Sequence, residues 1–331
     1  MKPTKTRFTA RASSACFLAA AFAAVAPATN AADAFPCQVL KIVSPYPAGG
    51  TTDILARLIG PGLSKGLGVP VIVDNKAGAS SNIGTESVVR SPADGCTALL
   101  GNNTGIAINR NLYPLKYEPT RDLTAVGLVA SVPLLLYVNS ELPAKNVTEL
   151  VDLLKKAPGK YSYASGGSGS PQHLLGEMVK QQKNVFMVHI PYRGQGPALQ
   201  DVLGGTVPIA FETVAALTPQ LKSPRIRVLA ITSAQRFAKL PDVPTMNESG
   251  FKDFAFENWY GLFVPAKTPG PLVDRLSQEL QKVLKSPEVT AKLADLGSRD
   301  VSGTSEQAKG FIAKELPQWE AVVKRSGAKV D

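Results

Sequence analysis

Short apolar runs alternate with segments of helical periodicity along most of the chain. The runs are rich in valine, isoleucine and leucine, which is typical of strands inside a parallel sheet. The segments between them repeat apolar residues every three or four positions, as Leu55, Leu58, Ile59 and Leu63 do. This spacing indicates helices with one buried face. The alternation predicts an α/β fold with mainly parallel sheets.

The predicted elements follow one another along the whole chain. Strands are expected at 39–43, 69–73, 98–101, 134–138, 161–164, 186–190, 207–211, 227–231 and 260–264. Helices are expected at 53–67, 82–91, 147–156, 171–182, 197–204, 269–285, 287–296 and 305–326. Thr52 or Asp53 is the expected N-cap of the first helix, and Gly-Pro-Gly at 60–62 predicts a kink or short break within it. Pro171 and Pro197 are expected at the first position of their helices.

Two long apolar stretches, at 128–138 and 259–264, flank a middle section that has its own strands and helices. We interpret these stretches as two crossings of the chain between two lobes. Because the C-terminal helices then return to the first lobe, domain 1 is predicted to be discontinuous, with residues 33–131 and 257–331. Domain 2 comprises residues 132–256. A length of 331 residues, 44% of them apolar, is sufficient for two domains with buried cores.

The first 32 residues differ in composition from the rest of the chain. Four basic residues precede an apolar run at 15–26, and small residues follow it. This order predicts a secretory signal peptide that is cleaved after Ala31 or Ala32, and the run is shorter than the roughly 18 residues of a membrane span. A lipoprotein signal ending at Cys16 is the alternative, which is disfavoured because the apolar run follows Cys16. The mature protein is therefore expected in the periplasm.

Charge narrows the choice of partners. The formal net charge is +10, and removal of the signal peptide would leave +6. The basic residues are dispersed and not interleaved with aromatic residues, which argues against nucleic-acid binding. A mildly positive field would help to collect anionic solutes. No zinc-ligand spacing, Walker loop or complete dinucleotide motif occurs, so neither a metal nor a cofactor is expected.

Cys37 and Cys96 remain after removal of the signal peptide. Each stands just before a predicted strand, so both lie at one sheet edge if the two strands are parallel neighbours. In an oxidising compartment we expect a Cys37–Cys96 disulfide. In the chain-entropy model such a bridge would contribute about 4 kcal/mol of stability. Two free thiols are the alternative.

Four segments rich in glycine or serine stand where a predicted strand gives way to a helix, at 45–53, 78–84, 165–172 and 192–197. Two of them begin with matching Pro-Tyr junctions, one in each predicted lobe. In open parallel sheets the carboxyl ends of the strands line the ligand crevice. Glycine turns before helices also offer unpaired backbone N–H groups to an anion. The four loops are therefore predicted to surround one cleft that binds a carboxylate.

The candidate ligand-binding residues are the loop residues and the polar side chains at nearby strand ends. Arg193 is the one base in these loops and could pair with an anion, although a solvated arginine is the alternative. Glu212 could hold a ligand ammonium or hydroxyl group, or be solvated. His173 could donate to a ligand, whereas His189 is interpreted as structural. The predicted set is Tyr46, Ala48, Gly49, Gly50, Asp53, Gly78, Ser80, Ser81, Gly84, Asn103, Thr104, Ser165, Gly169, Ser170, Gln172, His173, Tyr192, Arg193, Gly194 and Glu212.

Catalytic signatures are weak, and no catalytic residue is assigned. Gly-Gly-Ser-Gly-Ser at 166–170 resembles a nucleophile elbow but lacks its final glycine. An exported hydrolase that uses Ser168 or Ser170 stays open as an alternative function.

Seven short motifs along residues 39–331 resemble those of the Bug family, the extracytoplasmic solute receptors of tripartite tricarboxylate transporters. Their order and spacing together carry the resemblance. The motifs are Pro-Tyr-Pro-Ala-Gly-Gly-Thr-Thr-Asp (45–53), Asn-Lys-Ala-Gly-Ala-Ser-Ser-Asn-Ile-Gly (75–84), Ser-Pro-Ala-Asp-Gly (91–95), Gly-Ser-Gly-Ser-Pro-Gln-His-Leu (167–174), Val-His-Ile-Pro-Tyr-Arg-Gly (188–194), Leu-Pro-Asp-Val-Pro-Thr (240–245) and Trp-Tyr-Gly-Leu (259–262).

The resemblance implies a type II periplasmic binding-protein fold, with two doubly wound lobes joined by two crossing strands. It implies a receptor that binds a small carboxylate, without catalysis or cofactor. We expect a monomer that delivers the carboxylate to the membrane permease subunits of a tripartite transporter. In the family, loops matching 46–50 and 78–84 hold one carboxylate, largely through backbone groups and ordered waters. Loops matching 165–173 and 192–196 and the segment near Glu212 meet the rest of the ligand.

This chain departs from the family pattern at three places. Cys96 stands where the family usually has an aromatic residue, Glu212 stands where aspartate is common, and Gly-Pro-Gly at 60–62 interrupts the first helix. The ligand therefore stays open among dicarboxylates, amino acids, aromatic acids and nicotinate-like compounds. A sensory role in place of transport also stays open.

Overall fold

The computed structural model describes residues 35–330 and, before them, residues 1, 3, 4 and 6. The predicted signal peptide, its cleavage site and the alternative at Cys16 lie outside the described residues. Within the described residues, no helix is long and apolar enough to cross a membrane.

Nine strands of the described part form one curled sheet. Their order is β2-β1-β3-β9-β4-β7-β5-β6, and β8 also pairs with β4. The strands are β1 (Leu40–Ser44), β2 (Val71–Asn75), β3 (Thr97–Asn102), β4 (Leu123–Asn139), β5 (Ser162–Ser165), β6 (Val188–Pro191), β7 (Ile209–Thr213), β8 (Ile226–Ile231) and β9 (Glu257–Pro265). We refer to β1, β2, β3 and β9 as the first half of the sheet and to β5, β6, β7 and β8 as the second half.

Helices cover the sheet. The described helices are α1 (Thr51–Leu67), α2 (Asn82–Val89), α3 (Pro119–Asp122), α4 (Val147–Lys156), α5 (Pro171–Lys183), α6 (Gln195–Leu203), α7 (Val214–Leu217), α8 (Gly270–Leu284), α9 (Pro287–Asp295) and α10 (Ser305–Ser326). The bounds predicted for α4 and α10 are confirmed. The four-residue helices α3 and α7 were not predicted, because they are too short to show a periodic pattern.

The prediction of mainly parallel pairing is right only for the outer strands. β1 pairs in parallel with β2 and β3, and β5 pairs in parallel with β6 and β7. The central pairs that β4 and β9 form are antiparallel. β4 pairs with β9 along 123–133 and with β7 along 134–138, so it joins the two halves. β9 returns in the opposite direction, which makes the centre antiparallel. The predicted domain boundaries stay predictions.

Both faces of the sheet are buried. Along β4, Leu134 and Leu136 belong to one apolar cluster, whereas Leu135 and Tyr137 belong to the other. Successive side chains of a strand point to opposite faces, so this division follows from the strand period. Burial on both faces explains why the strands read as continuous apolar runs in the sequence.

The start of α1 differs from the prediction. Gly50 occupies the N-cap position with an extended backbone and the helix begins at Thr51, so the expected N-cap at Thr52 or Asp53 was wrong. Both of these residues lie inside the first turn. Glycine caps a helix without a side-chain acceptor. The prediction instead chose Thr52 or Asp53, because hydroxyl and carboxylate residues are also preferred at the N-cap.

The short break, one of the two alternatives expected at 60–62, was wrong, because α1 continues through Pro61. The kink stays a prediction. Buried Ile59 and Leu63 flank the interruption on the core side. A Cβ atom added to Gly62 would lie 2.6 Å from Val283, so the glycine lets α8 pack closely against α1. Packing of this face outweighs the local cost of the proline.

The two second-half helices that follow predicted cleft loops, α5 and α6, begin in different ways. Pro171 occupies the first turn of α5, as predicted, with Ser170 as N-cap. α6 begins at Gln195, so the expectation that Pro197 is its first residue was wrong. Gly194 precedes the helix with φ 110°, a conformation that glycine tolerates.

The predicted disulfide is confirmed, since Cys37 and Cys96 are bonded in the structure. β1 and β3 are parallel neighbours, with Lys41 opposite Thr97. Both cysteines lie just before these strands at the same edge of the sheet, and their Cα atoms are 5.5 Å apart.

Candidate functional site

The four predicted loops meet in one cleft between the two halves of the sheet. The cleft consists of two adjoining recesses that share Tyr46, Pro47 and Gly166 in their linings. The volume open to the centres of water molecules is about 40 Å³ in the inner recess and about 850 Å³ in the outer recess. The inner recess therefore has room for only a few water molecules.

The N-terminal turns of three helices border the inner recess. They belong to α1 and, across the cleft, to α5 and α6, and they contribute Thr51, Gln172 and Gln195 to its lining. The first N–H groups of a helix have no partner within the helix and carry partial positive charge. Three such ends from opposite halves favour an anion between them. The other lining residues are Tyr46, Pro47, Gly50, Thr52, Asn102, Thr104, Gly166, Ser170, Pro171, Gly196, Glu212, Thr213, Asn258 and Tyr260.

The loop after β2 borders the outer recess in an unusual backbone conformation. Gly78, Ala79, Ser80 and Ser81 have φ values of 138°, 45°, 50° and 78°. Residues other than glycine adopt positive φ at a cost, so the surroundings must hold this loop in place. The Asn109 side chain does so by donating a hydrogen bond of 2.7 Å to the Ser80 carbonyl. Apart from the glycine and the serines, no sequence pattern indicated this backbone strain.

Contacts across the cleft hold its two sides together. The hydroxyl groups of Thr51 and Thr213 share a hydrogen bond of 2.6 Å. The Tyr113 hydroxyl donates to the Ser168 carbonyl at 2.7 Å. These bonds join the first half to the second half around the recesses, so the described conformation is closed.

Arg193 lies exposed at the outer recess. Its guanidinium has no hydrogen bond or ion pair with any other residue that the structure describes. The neighbouring Tyr192 hydroxyl donates to Asp201 at 2.5 Å. The outer recess therefore offers one uncommitted positive charge beside the loop amides.

Glu212 lies at the carboxyl end of β7 and lines the inner recess, with 2% of its surface exposed. The Thr213 N–H and hydroxyl donate to its Oε1 at 2.6 and 3.1 Å. Burial raises the pKa of Glu212 to about 7, against the lowering effect of these two hydrogen bonds. No basic residue lines the described inner recess. Near neutral pH this carboxyl group exists in both protonation states.

Asp53 lines neither recess, although it was predicted to bind ligand. Its carboxylate accepts hydrogen bonds from the Gly49 N–H at 3.0 Å, from Arg57 Nε at 3.0 and 3.1 Å and from Asn75 at 3.1 Å. Burial opposes ionisation, but these bonds outweigh it and lower the pKa of Asp53. Asp53 therefore fixes the shape of the turn before α1.

His173 and His189 lie behind the loop at 165–170. Their rings stack with centroids 3.9 Å apart. The Gly169 N–H donates to His173 Nδ1 at 3.0 Å, and His189 Nε2 shares a hydrogen bond of 2.6 Å with Ser165. Burial lowers the pKa of both histidines, that of His189 to about 3, so both are neutral at neutral pH. The pair supports the loop from behind.

The structure thus sorts the predicted site residues into two groups. Those that line a recess are Tyr46, Gly50, Gly78, Ser80, Ser81, Thr104, Ser170, Gln172, Tyr192, Arg193, Gly194 and Glu212. Those that do not are Ala48, Gly49, Asp53, Gly84, Asn103, Ser165, Gly169 and His173. Gly84 illustrates the second group, because a Cβ atom added there would lie 2.7 Å from Pro45 and would disturb the packing of α2 under the first loop.

Several lining residues were not predicted. Gln195 and Thr213 border the inner recess from the second half, and Asn258 and Tyr260 border it from β9. Asn258 was detectable in principle as a polar residue beside an apolar crossing strand. Tyr260 was not, because an aromatic residue in a strand is also typical of a core.

The hydrolase alternative needs a serine hydroxyl paired with a histidine ring. Neither Ser168 nor Ser170 has a side-chain hydrogen bond to a histidine ring in the described residues. The described side-chain hydrogen bond between a serine and a histidine joins Ser165 to His189, whereas Ser170 caps α5. Ser165 is fully buried and lines neither recess.

Two α/β halves that face each other across a cleft, with helix N-termini at its border, define the class of periplasmic solute-binding proteins. Residues 55–328 match the TctC family, described as the tripartite tricarboxylate transporter family receptor. The chain therefore belongs to this family, and the resemblance stated from the motifs is confirmed.

Relatives and solved structures agree with this assignment. BugT of Bordetella pertussis is 36% identical over 301 residues, which cover 90% of this chain and 92% of BugT. The structure of R. palustris Rpa4515 with adipate has a TM-score of 0.86 at 34% identity and covers 89% of this chain and 100% of that chain. The structure of MatC from Rhodopseudomonas palustris with bound malate has a TM-score of 0.83 at 30% identity and covers 87% of this chain and 100% of that chain. The predicted fold class is confirmed.

Proposed function

We propose that this protein captures a small carboxylate in the cleft and delivers it to the membrane subunits of a tripartite tricarboxylate-type transporter. The observation that carries the proposal is the meeting of three helix N-terminal turns from opposite halves at one recess. Main-chain N–H groups at these ends donate to an anion without any need for a metal or cofactor. The protein acts after export and signal-peptide removal, as a binding protein and not as an enzyme.

The ligand is proposed to carry two different ends. Its carboxylate meets the N-terminal turns of α1, α5 and α6 that border the inner recess, and the strained loop at 78–81 and Arg193 add donors and positive charge from the adjoining outer recess. The end that reaches Glu212 carries a hydrogen-bond donor, namely a hydroxyl, an ammonium or a protonated carboxyl group, because an ionised Glu212 repels a second carboxylate. The solved relatives with adipate and malate place dicarboxylates first among the acids to test.

A thermal-shift screen of the mature protein tests the proposed binding. The panel comprises mono-, di- and tricarboxylates, amino acids and aromatic acids. The correct acid at a hundredfold excess over its Kd stabilises the folded protein by about 2.7 kcal/mol and raises Tm accordingly. Mass spectrometry of compounds that co-purify with the protein narrows the panel. An absence of shift across the whole panel contradicts the proposal.

A matched pair of glycine variants tests the location of the site. Gly196 lines the inner recess, and a Cβ atom added there meets nothing within 4 Å. Gly310 lies on α10, away from both recesses, with equally open surroundings. Gly196→Leu should remove the thermal shift, whereas Gly310→Leu should keep it. Equal shifts in the two variants would place binding elsewhere.

Transport and sensing differ in the partner of the liganded protein. Uptake of the identified acid into cells that contain the membrane subunits, and its loss on deletion of this receptor, supports transport. Unchanged uptake together with altered transcription favours the sensory alternative.

A further inference from the structure

A second cavity lies outside the cleft and shares no lining residue with it. The volume of this cavity that is open to the centres of water molecules is about 530 Å³, which is within the size range of small-molecule sites. Its described lining comes from β4, from residues 233–235, from residues 255–257 and Trp259 around the start of β9, from Arg299 and from α10. We call it the tryptophan cavity, since both tryptophans of the chain, Trp259 and Trp319, line it.

Aromatic rings form much of the wall of the tryptophan cavity. The Phe256 and Trp319 rings lie with centroids 6.0 Å apart, and the Trp259 and Phe311 rings meet edge to face at 6.0 Å. The two tryptophans are almost fully buried, whereas the two phenylalanines are half-buried. Aromatic faces carry negative potential, so such a wall attracts a cation more strongly than an anion.

Two carboxylates and one guanidinium lie in the same cavity, and only one carboxylate is neutralised. Glu257 accepts hydrogen bonds from Arg299 Nε at 3.2 Å and from the Ser131 hydroxyl at 2.5 Å. Glu315 accepts from the Trp319 indole N–H at 3.0 Å and has no ion pair with any described residue. Glu315 lies among the rings and is the carboxyl group of the cavity without an ion-pair partner among the described residues; burial raises its pKa, and a bound cation would favour its ionised form.

We propose that the tryptophan cavity is a second binding site, for a small organic cation with an alkylammonium or guanidinium group. The cationic group pairs with Glu315, and its alkyl part packs against Phe311 and the tryptophan edges. A carboxylate beside aromatic faces satisfies both the charge and the apolar surface of such a ligand. An anion would meet two carboxylates and a guanidinium that is already paired.

Intrinsic fluorescence provides a direct test, because both tryptophans line this cavity. The probes are n-butylammonium, tetramethylammonium and methylguanidinium chloride, titrated into the mature protein, with sodium chloride at matched ionic strength as reference. At least one probe should change the tryptophan emission to a saturating level. Glu315→Gln should weaken this binding about tenfold, the loss of one charge-assisted contact. Phe311→Leu should weaken it several-fold.

Glu320→Gln is the matched control on the same helix. Glu320 is exposed, pairs with Lys324 at 2.7 Å and does not line the cavity, so this variant should bind the probe as the wild type does. A response that does not saturate or that sodium chloride reproduces overturns the proposal, as does unchanged binding in Glu315→Gln and Phe311→Leu. The carboxylate screen addresses the cleft alone, so either proposal can fail without the other.

Discussion

At the scale of single residues, Asp53 and Glu212 show that two buried carboxyl groups can have pKa values shifted in opposite directions. Asp53 lies in the first turn of α1 and Glu212 at the carboxyl end of β7, and both are almost completely buried. Arg57, Asn75 and a backbone N–H surround Asp53, so its pKa falls. Glu212 has no basic neighbour in the described recess, so burial raises its pKa to about 7. The sequence named both as candidates but could not tell which one is stabilised as an anion, because their partners are distant in the chain.

The raised pKa of Glu212 predicts a pH-dependent stability difference for Glu212→Gln. The pKa is about 7 in the folded protein against the ordinary value of 4.5 for glutamate, so the folded form binds the proton more tightly. The resulting stabilisation is complete below pH 4.5 and is lost as the pH rises through 7. Glutamine does not titrate, so the unfolding free energy of the variant minus that of the wild type should rise by up to about 3 kcal/mol between pH 4.5 and pH 8.

Urea unfolding of wild type and Glu212→Gln at pH 4.5, 6, 7 and 8 measures this difference. Glu320→Gln serves as the control, because Glu320 is exposed and its removal should produce no such rise. A wild-type and variant difference that stays constant from pH 4.5 to pH 8 would show that Glu212 does not carry a raised pKa.

At the scale of elements, long periodic segments were predictable and short ones were not. α4 and α10 have the bounds that their periodicity predicts. The short helix α7, which follows β7 at the cleft, was missed, and the central antiparallel pairing of β4 and β9 was not foreseen. Strand direction depends on where the chain crosses between the halves, and a local pattern does not contain that information.

The disulfide between the starts of β1 and β3 should make a large contribution to stability. It closes a loop between positions 59 residues apart, which corresponds to about 4 kcal/mol in the chain-entropy model. Cys37→Ala with Cys96→Ala should lower the unfolding free energy by roughly this amount in guanidinium titrations. The wild type measured with and without reductant provides the comparison, and equal midpoints in the two would contradict the prediction.

At the scale of the whole molecule, the two halves of the sheet are closed over the cleft. The inner recess holds only a few water molecules in this conformation, and the Thr51–Thr213 hydrogen bond spans it. A metabolite that reaches Glu212 therefore requires the halves to separate and close again. Such motion shifts the balance between open and closed forms when ligand binds the closed form better.

Small-angle X-ray scattering should detect this motion. Saturation with the acid that gives the largest thermal shift should lower the radius of gyration of the mature protein. Gly196→Leu, which adds a large side chain at the lining of the inner recess, should show no ligand-dependent change. Identical scattering of the wild type with and without ligand would mean that loading does not involve separation of the halves.

The sequence by itself determined the α/β class, the cysteine pair, the family and the four loops, because each depends on local periodicity, on strand neighbours or on motifs read in order. The tertiary structure decided which loop residues face the cleft and which support it from behind, as His173 and Asp53 do. It also decided the pKa of Glu212 and brought Trp259 and Trp319 together in a second cavity. These properties depend on distances between residues far apart in the chain, which packing alone sets.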